Sequence, residues 1–96
     1  MFTLVNHHRL AEPLPVSAHE ALTARYAEMR DMGLRTFQLI EVADDHLILV
    51  AVFDSAEAAD AVSQLIGSPW LREWVIPRVA SPTEQSFGEA IYSLGF

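Results

Sequence analysis

Seven apolar residues in a row, LILVAVF at positions 47–53, constrain this chain more than any other feature. The run is far too short to cross a bilayer as a helix, which takes about 20 residues. It reads as a strand, yet it lacks the apolar–polar alternation of a strand with one wet face. A strand that is apolar on both sides is covered on both faces. Any fold for this chain must therefore place something on each side of it.

The neighbouring elements follow from local signals. Positions 34–42 form a strand with Phe37, Leu39, Ile40 and Val42 as its apolar content. Asp44-Asp45 supplies a turn, because short acidic side chains bond their own backbone. The two strands therefore pair as an antiparallel hairpin. Positions 2–9 form another strand, with Phe2, Leu4, Asn6 and His8 on one face and Thr3, Val5, His7 and Arg9 on the other. After a connector containing Pro13 and Pro15, Ser17 is the expected N-cap of a helix, with Glu20 completing a capping box. Its stripe is Ala18, Ala21, Leu22, Tyr26, Met29 and Met32, and Gly33 stands where a left-handed C′ residue belongs. Asp54 or Ser55 caps a second helix with Ala58, Ala59, Val62, Leu65 and Ile66 facing the core. Gly67 is expected to end it, and Ser68-Pro69 to restart a short helix that Pro77 stops. Positions 78–86 read as turn, and 87–96 as a last strand.

Strand, helix, strand, strand, helix, strand is the split βαβ order of a ferredoxin-like α+β fold, expected here as one domain over 1–96. Both helices then cover one face of a four-stranded antiparallel sheet. The apolar run requires a cover on the other face as well, and a second copy of the same sheet supplies it with one symmetry operator. The expected partner is thus the chain itself, as a homodimer.

Composition narrows the function. The net charge is −7, with 6 basic and 13 acidic residues and no lysine. Such a chain is a poor binder of phosphate backbones or anionic membranes, so neither nucleic acid nor membrane is an expected partner. With no cysteine, thiolate metal sites and a cysteine nucleophile are excluded, and a cytoplasmic location suits the composition. The opening MFTLVNHHRL has no basic n-region and no sustained apolar stretch, so it does not read as a signal peptide. His7 and His8 point to opposite faces of their strand and cannot hold one ion together, while His19 and His46 read as solvated. No metal site is expected. The serines fall at caps and turns, and the glycines stand alone at element ends, so neither a nucleophile triad nor a phosphate loop is present.

The strand ending in Asn6, the strand-to-cap junction VAVFDSAEAADAV and the piece GSPWLREWV make the chain resemble the dimeric α/β-barrel superfamily, which includes the antibiotic-biosynthesis monooxygenase-like proteins. The resemblance covers nearly the whole chain. It implies a pocket between sheet and helices that takes a small aromatic or polyketide-like substrate, and a monooxygenase-like reaction without a cofactor. Asn6 matches an asparagine that helps bind substrate in those enzymes. A haem-degrading branch adds a tryptophan and a histidine from the helical region. Trp70 and Trp74 come late for the former, and no histidine follows His46, so no haem and no other cofactor is expected.

On this reading Asn6 and His8 are the catalytic candidates, and Trp70, Trp74, Tyr26 and Tyr92 the ligand-binding ones. Asn6 and His8 turn an apolar strand face polar, which suggests a cavity mouth; the plain alternative is the wet end of an edge strand. Trp70 and Trp74, one turn apart, form a ridge on a lip hinged at Gly67 and Pro69, or else pack on the sheet or close the dimer. Tyr26 and Tyr92 can each donate a hydrogen bond into a pocket or sit in the core with a wet hydroxyl. The competing function is a homodimeric module that binds a small apolar ligand without catalysis.

Overall fold

The structure is a computed structural model describing residues 1–95. Its elements are β1 (Phe2–Arg9), α1 (Val16–Thr23), α2 (Tyr26–Asp31), β2 (Leu34–Ala43), β3 (His46–Phe53), α3 (Ala56–Val62), α4 (Ser68–Trp70) and β4 (Glu84–Glu89). π-type turns run over Ser63–Gly67 and Leu71–Val75, and a 3₁₀ turn over Ile76–Arg78. The sheet is antiparallel, in the order β2-β3-β1-β4, as a ferredoxin-like fold requires. The helices lie on one face.

Register decides which side chains meet them. Leu4 stands opposite Ala51 on one side and Phe87 on the other, and Asn6 opposite Leu49 and Gln85. This is the covered face, where Leu47, Leu49, Ala51 and Phe53 are buried with Ala18, Leu22, Met29, Val62, Ile66 and Trp70. The intervening residues Val5, Ile48 and Val50 point to the open face and stay half-exposed.

Four expectations need correction. The first helix is two helices. Thr23 turns its hydroxyl back to the His19 carbonyl (3.0 Å), α1 stops, and Arg25 leaves helical geometry at φ −104°, ψ 4°. Ser17 is not the cap. Pro13 and Pro15 keep the chain extended up to Pro15, which is itself the N-cap, so the helix is already under way at Ser17 and no side-chain cap bond forms. Gly67 does not end α3. It keeps helical angles (φ −63°, ψ −52°), the Ser68 N–H reaches back five residues to the Ser63 carbonyl, and the helical path passes Pro69 unbroken. The last strand lies at Glu84–Glu89 rather than 87–96: its ladder with β1 runs from Glu84 opposite His7 to Glu89 opposite Phe2, and the Ala90 N–H bonds the Met1 carbonyl (2.9 Å) at its end. Residues 90–95 are not strand, and Phe96 lies outside the described residues.

Two local signals hold. Ser55 caps α3 by accepting the Ala58 N–H (3.1 Å). Gly33 takes φ +113°, and a Cβ there would sit 2.7 Å from the Ala58 Cβ, so both conformation and space demand glycine.

Candidate functional site

Asn6 and His8 are the buried polar side chains of the described residues, each 1% exposed. β1 carries both on its covered face, two residues apart. Asn6 opens into a cavity of about 70 Å³ between sheet and helices. Leu4, Leu49, Ala51 and Phe53 form its floor, Leu22 and Met29 one wall, and Ser63, Gly67, Ser68, Trp70 and Leu71 the roof. The roof thus comes largely from the π-type turns and the helical segment between them, a geometry often found at functional sites. Within this apolar lining the Asn6 Oδ1 is buried and has no hydrogen-bond partner. An orphan of this kind costs about 1–3 kcal/mol, so a ligand able to satisfy it has a ready gain.

His8 does not line that cavity. Its Nδ1 lies 2.9 Å from the Thr83 hydroxyl, and its Nε2 is buried without a partner. Burial, with the neighbouring His7 adding to it, holds the His8 imidazole below its ordinary value. The ring is therefore neutral at pH 7 and able to accept a proton.

Trp70 is buried in the cavity roof, donates its Nε1–H to the Ala18 carbonyl (2.8 Å) and meets Phe37 edge-on, with ring centroids 6.5 Å apart. The expected mobile lip is thus an anchored segment, and the expected ridge is divided. Trp74 is half-buried, does not line the cavity, and buries an Nε1–H that has no partner. Tyr26, 48% exposed, lines a groove of about 300 Å³ that shares Leu22, Met29, Leu34 and Phe37 with the Asn6 cavity. Tyr92 is 79% exposed on the segment after β4 and lines none of these spaces. A second groove, about 420 Å³, adjoins on the other side through Leu4, Ser63, Ser68 and Gln85.

Sequence reasoning missed three residues. Gln85 faces Asn6 across β1–β4 and lines both the cavity and the second groove; it was hidden by the late placement of the last strand. Ser63 points to the cavity only because the helix widens there. Thr83, the partner of His8, is 75 residues away in sequence and carried no signal. The cavity offers no histidine ligand for a haem iron: none is in its lining.

No family model and no curated protein matches the chain. Solved structures do. A Nitrosomonas europaea protein described as an antibiotic-biosynthesis monooxygenase superposes with a TM-score of 0.73 at 18% identity, over 96% of this chain and 100% of that one. SnoaB, a cofactor-independent oxygenase from Streptomyces nogalater, gives 0.71 at 16% identity in a mutant form, over 97% and 95%. A dimeric ferredoxin-like protein from an uncultured marine organism gives 0.72 at 13%, over 99% and 91%. The fold of this chain is that of the antibiotic-biosynthesis monooxygenase-like proteins.

Proposed function

We propose that this chain, one domain over 1–96, is a cofactor-independent oxygenase acting on a small aromatic or polyketide-like substrate held between its sheet and helices. The observation that carries the reading is Asn6: a fully buried amide with an unsatisfied oxygen, lining a mostly apolar cavity whose other polar residues are Ser63, Ser68 and Gln85. Apolar walls with one or two fixed polar groups are the usual form of a small-molecule site. The likeness in fold to SnoaB supports the reaction class.

The chemistry asks little of the protein. With no flavin or metal in the reaction, every electron comes from the substrate. Oxidation of an activated ring CH₂ to C=O by O₂ releases one water and takes four electrons, all of them the substrate's. Such a substrate is a phenol or enol that becomes an electron-rich anion on losing a proton. Asn6 orients its oxygen atom, accepting from the hydroxyl or, with its amide turned over, donating to the oxyanion. His8, neutral and two residues along β1 but outside the cavity lining, takes the proton through one bridging water. Trp70 stacks against the ring, Trp74 supports that segment from its outer side, and Tyr26 guards the groove that leads in. Tyr92 reaches a site only in an assembly that covers the segment carrying it. We place the protein in the cytoplasm, as its lack of cysteine suits.

A second reading, a non-catalytic homodimeric module for a small apolar ligand, is favoured by the modest 70 Å³ of the cavity. Oxygen uptake with a panel of hydroxynaphthalenes and anthrone-type phenols separates the two. Uptake is expected with at least one compound, and Asn6→Ala should reduce it at least tenfold while circular dichroism and Tm stay near wild type. Binding that perturbs tryptophan emission without oxygen uptake would favour the module. Binding that ignores Asn6→Ala would overturn the site.

A further inference from the structure

We propose that His7 and His46 form a two-histidine chelate for a borderline divalent cation such as Zn²⁺, Ni²⁺ or Cu²⁺ on the open face of the sheet. The site is separate from the cavity under the helices. His7 stands opposite Ile48, and His46 opposite Arg9, so the two histidines are diagonal neighbours on adjacent strands and share the face away from the helices; they lie at its end, beside the Asp44-Asp45 turn, rather than at the Val50 centre that a second copy would cover. Their nearest ring nitrogens, Nδ1 of His7 and Nε2 of His46, are 3.1 Å apart.

That separation suits an ion. Two imidazole nitrogens each about 2.0–2.1 Å from one metal lie roughly 2.9 Å apart at a right angle and about 3.4 Å apart at the tetrahedral angle. The observed spacing falls between, with the ring planes tilted by 38°. Both rings are half-buried and rise from paired strands, so little ordering remains to be done on binding. Imidazole selects borderline metals over Mg²⁺ and Ca²⁺.

The surroundings are permissive. Glu84 of β4 stands opposite His7 and lowers the cost of bringing in a cation. Arg9, the one cation on the same face nearby, leans toward Asp45 at 3.9 Å. Among the described residues no third histidine or carboxylate completes a cluster with the pair, so water fills the remaining positions. The affinity of a two-ligand site is therefore modest. In the metal-free protein the rings share one hydrogen bond. On chelation its proton moves to the far nitrogen of the donating ring, so the neutral pair releases no proton.

The test uses the full chain without an affinity tag. Titration with NiCl₂, CuCl₂ or ZnCl₂ by calorimetry should show one ion per chain, and Ni²⁺ or Cu²⁺ should broaden the amide signals around positions 7 and 46 first. His7→Asn and His46→Asn should each weaken binding at least tenfold, His19→Asn should leave it unchanged, and MgCl₂ should give no signal. No binding at about 1 mM metal, binding that survives the double substitution, or broadening centred elsewhere would overturn the proposal. The broadening pattern decides the matter on the wild type even where a variant folds poorly.

Discussion

Burying His8 with only Thr83 on its ring fixes the charge it carries, and that choice is felt as stability. A histidine held below its ordinary value is neutral when folded and binds a proton more readily when unfolded. Its neutral burial is therefore without penalty above about pH 6.5. As pH falls through the folded value, the unfolded chain gains protons first and stability is lost. The neighbouring His7 adds to the effect. Thermal melts between pH 8 and pH 5 should show Tm falling on the acid side, and His8→Gln should flatten that fall relative to wild type. An equal acid loss in both proteins would assign the effect to the other histidines. The same reading of β1 shows what a sequence can disclose at this scale. A polar pair on an apolar strand face marked Asn6 and His8, because cores exclude unpaired polar groups. Alternation could not separate them further: Asn6 reaches the cavity and His8 turns to Thr83, a difference set by the distant segment before β4.

Strands were more legible than helices. The runs that became β1, β2 and β3 are marked in the chain itself, by alternation or by an unbroken apolar run between turn residues, and their bounds differ from the expected ones by a residue or less. The helical elements depend on events that propensity does not encode. Thr23 bonding back to the His19 carbonyl splits a stripe that otherwise reads as one helix, and the detour around Pro69 keeps continuous what glycine and proline seemed to cut. β4 was misplaced because its bounds are set by the residues of β1 it pairs with, a tertiary partner that local propensity does not encode. The widened helical run is held to α1 by one bond, from the Trp70 indole to the Ala18 carbonyl. Trp70→Phe removes that donor and the tie it makes, while the Ala18 carbonyl keeps its helical partner, at a cost of about 0.5–1.5 kcal/mol. Denaturant unfolding should show the loss, together with faster amide exchange in α1. A variant as stable as wild type, with α1 equally protected, would mean the bond carries no weight.

The open face of the sheet is where the whole molecule remains incomplete. The chain exposes 6065 Å², more than the roughly 5,500 Å² expected of a compact monomer of 10.7 kDa. Part of the excess is apolar: Ile40 is 41% and Val42 55% exposed beside the half-covered Val5, Ile48 and Val50. Four strands spaced about 4.8 Å apart and about 26 Å long give a face on the order of 500 Å² in projection, and more in accessible area. Such a face approaches the ~800 Å² that each partner contributes to a standard interface. The half-exposed Ile48 and Val50 are the residues that made the 47–53 run read as doubly covered, so the sequence anticipates a cover that one copy alone does not provide. That missing cover is what motivates the sheet-to-sheet pairing expected as the dimeric α/β barrel. Light scattering should give twice the chain mass of 10.7 kDa at micromolar concentration. Val50→Glu puts a carboxylate in the centre of the face, where a partner's identical residue lies close by symmetry or an apolar neighbour must bury it. It should yield monomers while keeping the wild-type circular dichroism, because Val50 points away from the helices. A wild-type monomer whose mass does not change with concentration, or a Val50→Glu protein that is still dimeric, would remove the sheet face as the contact and leave the exposed Ile91, Tyr92 and Leu94 segment as the surface to test.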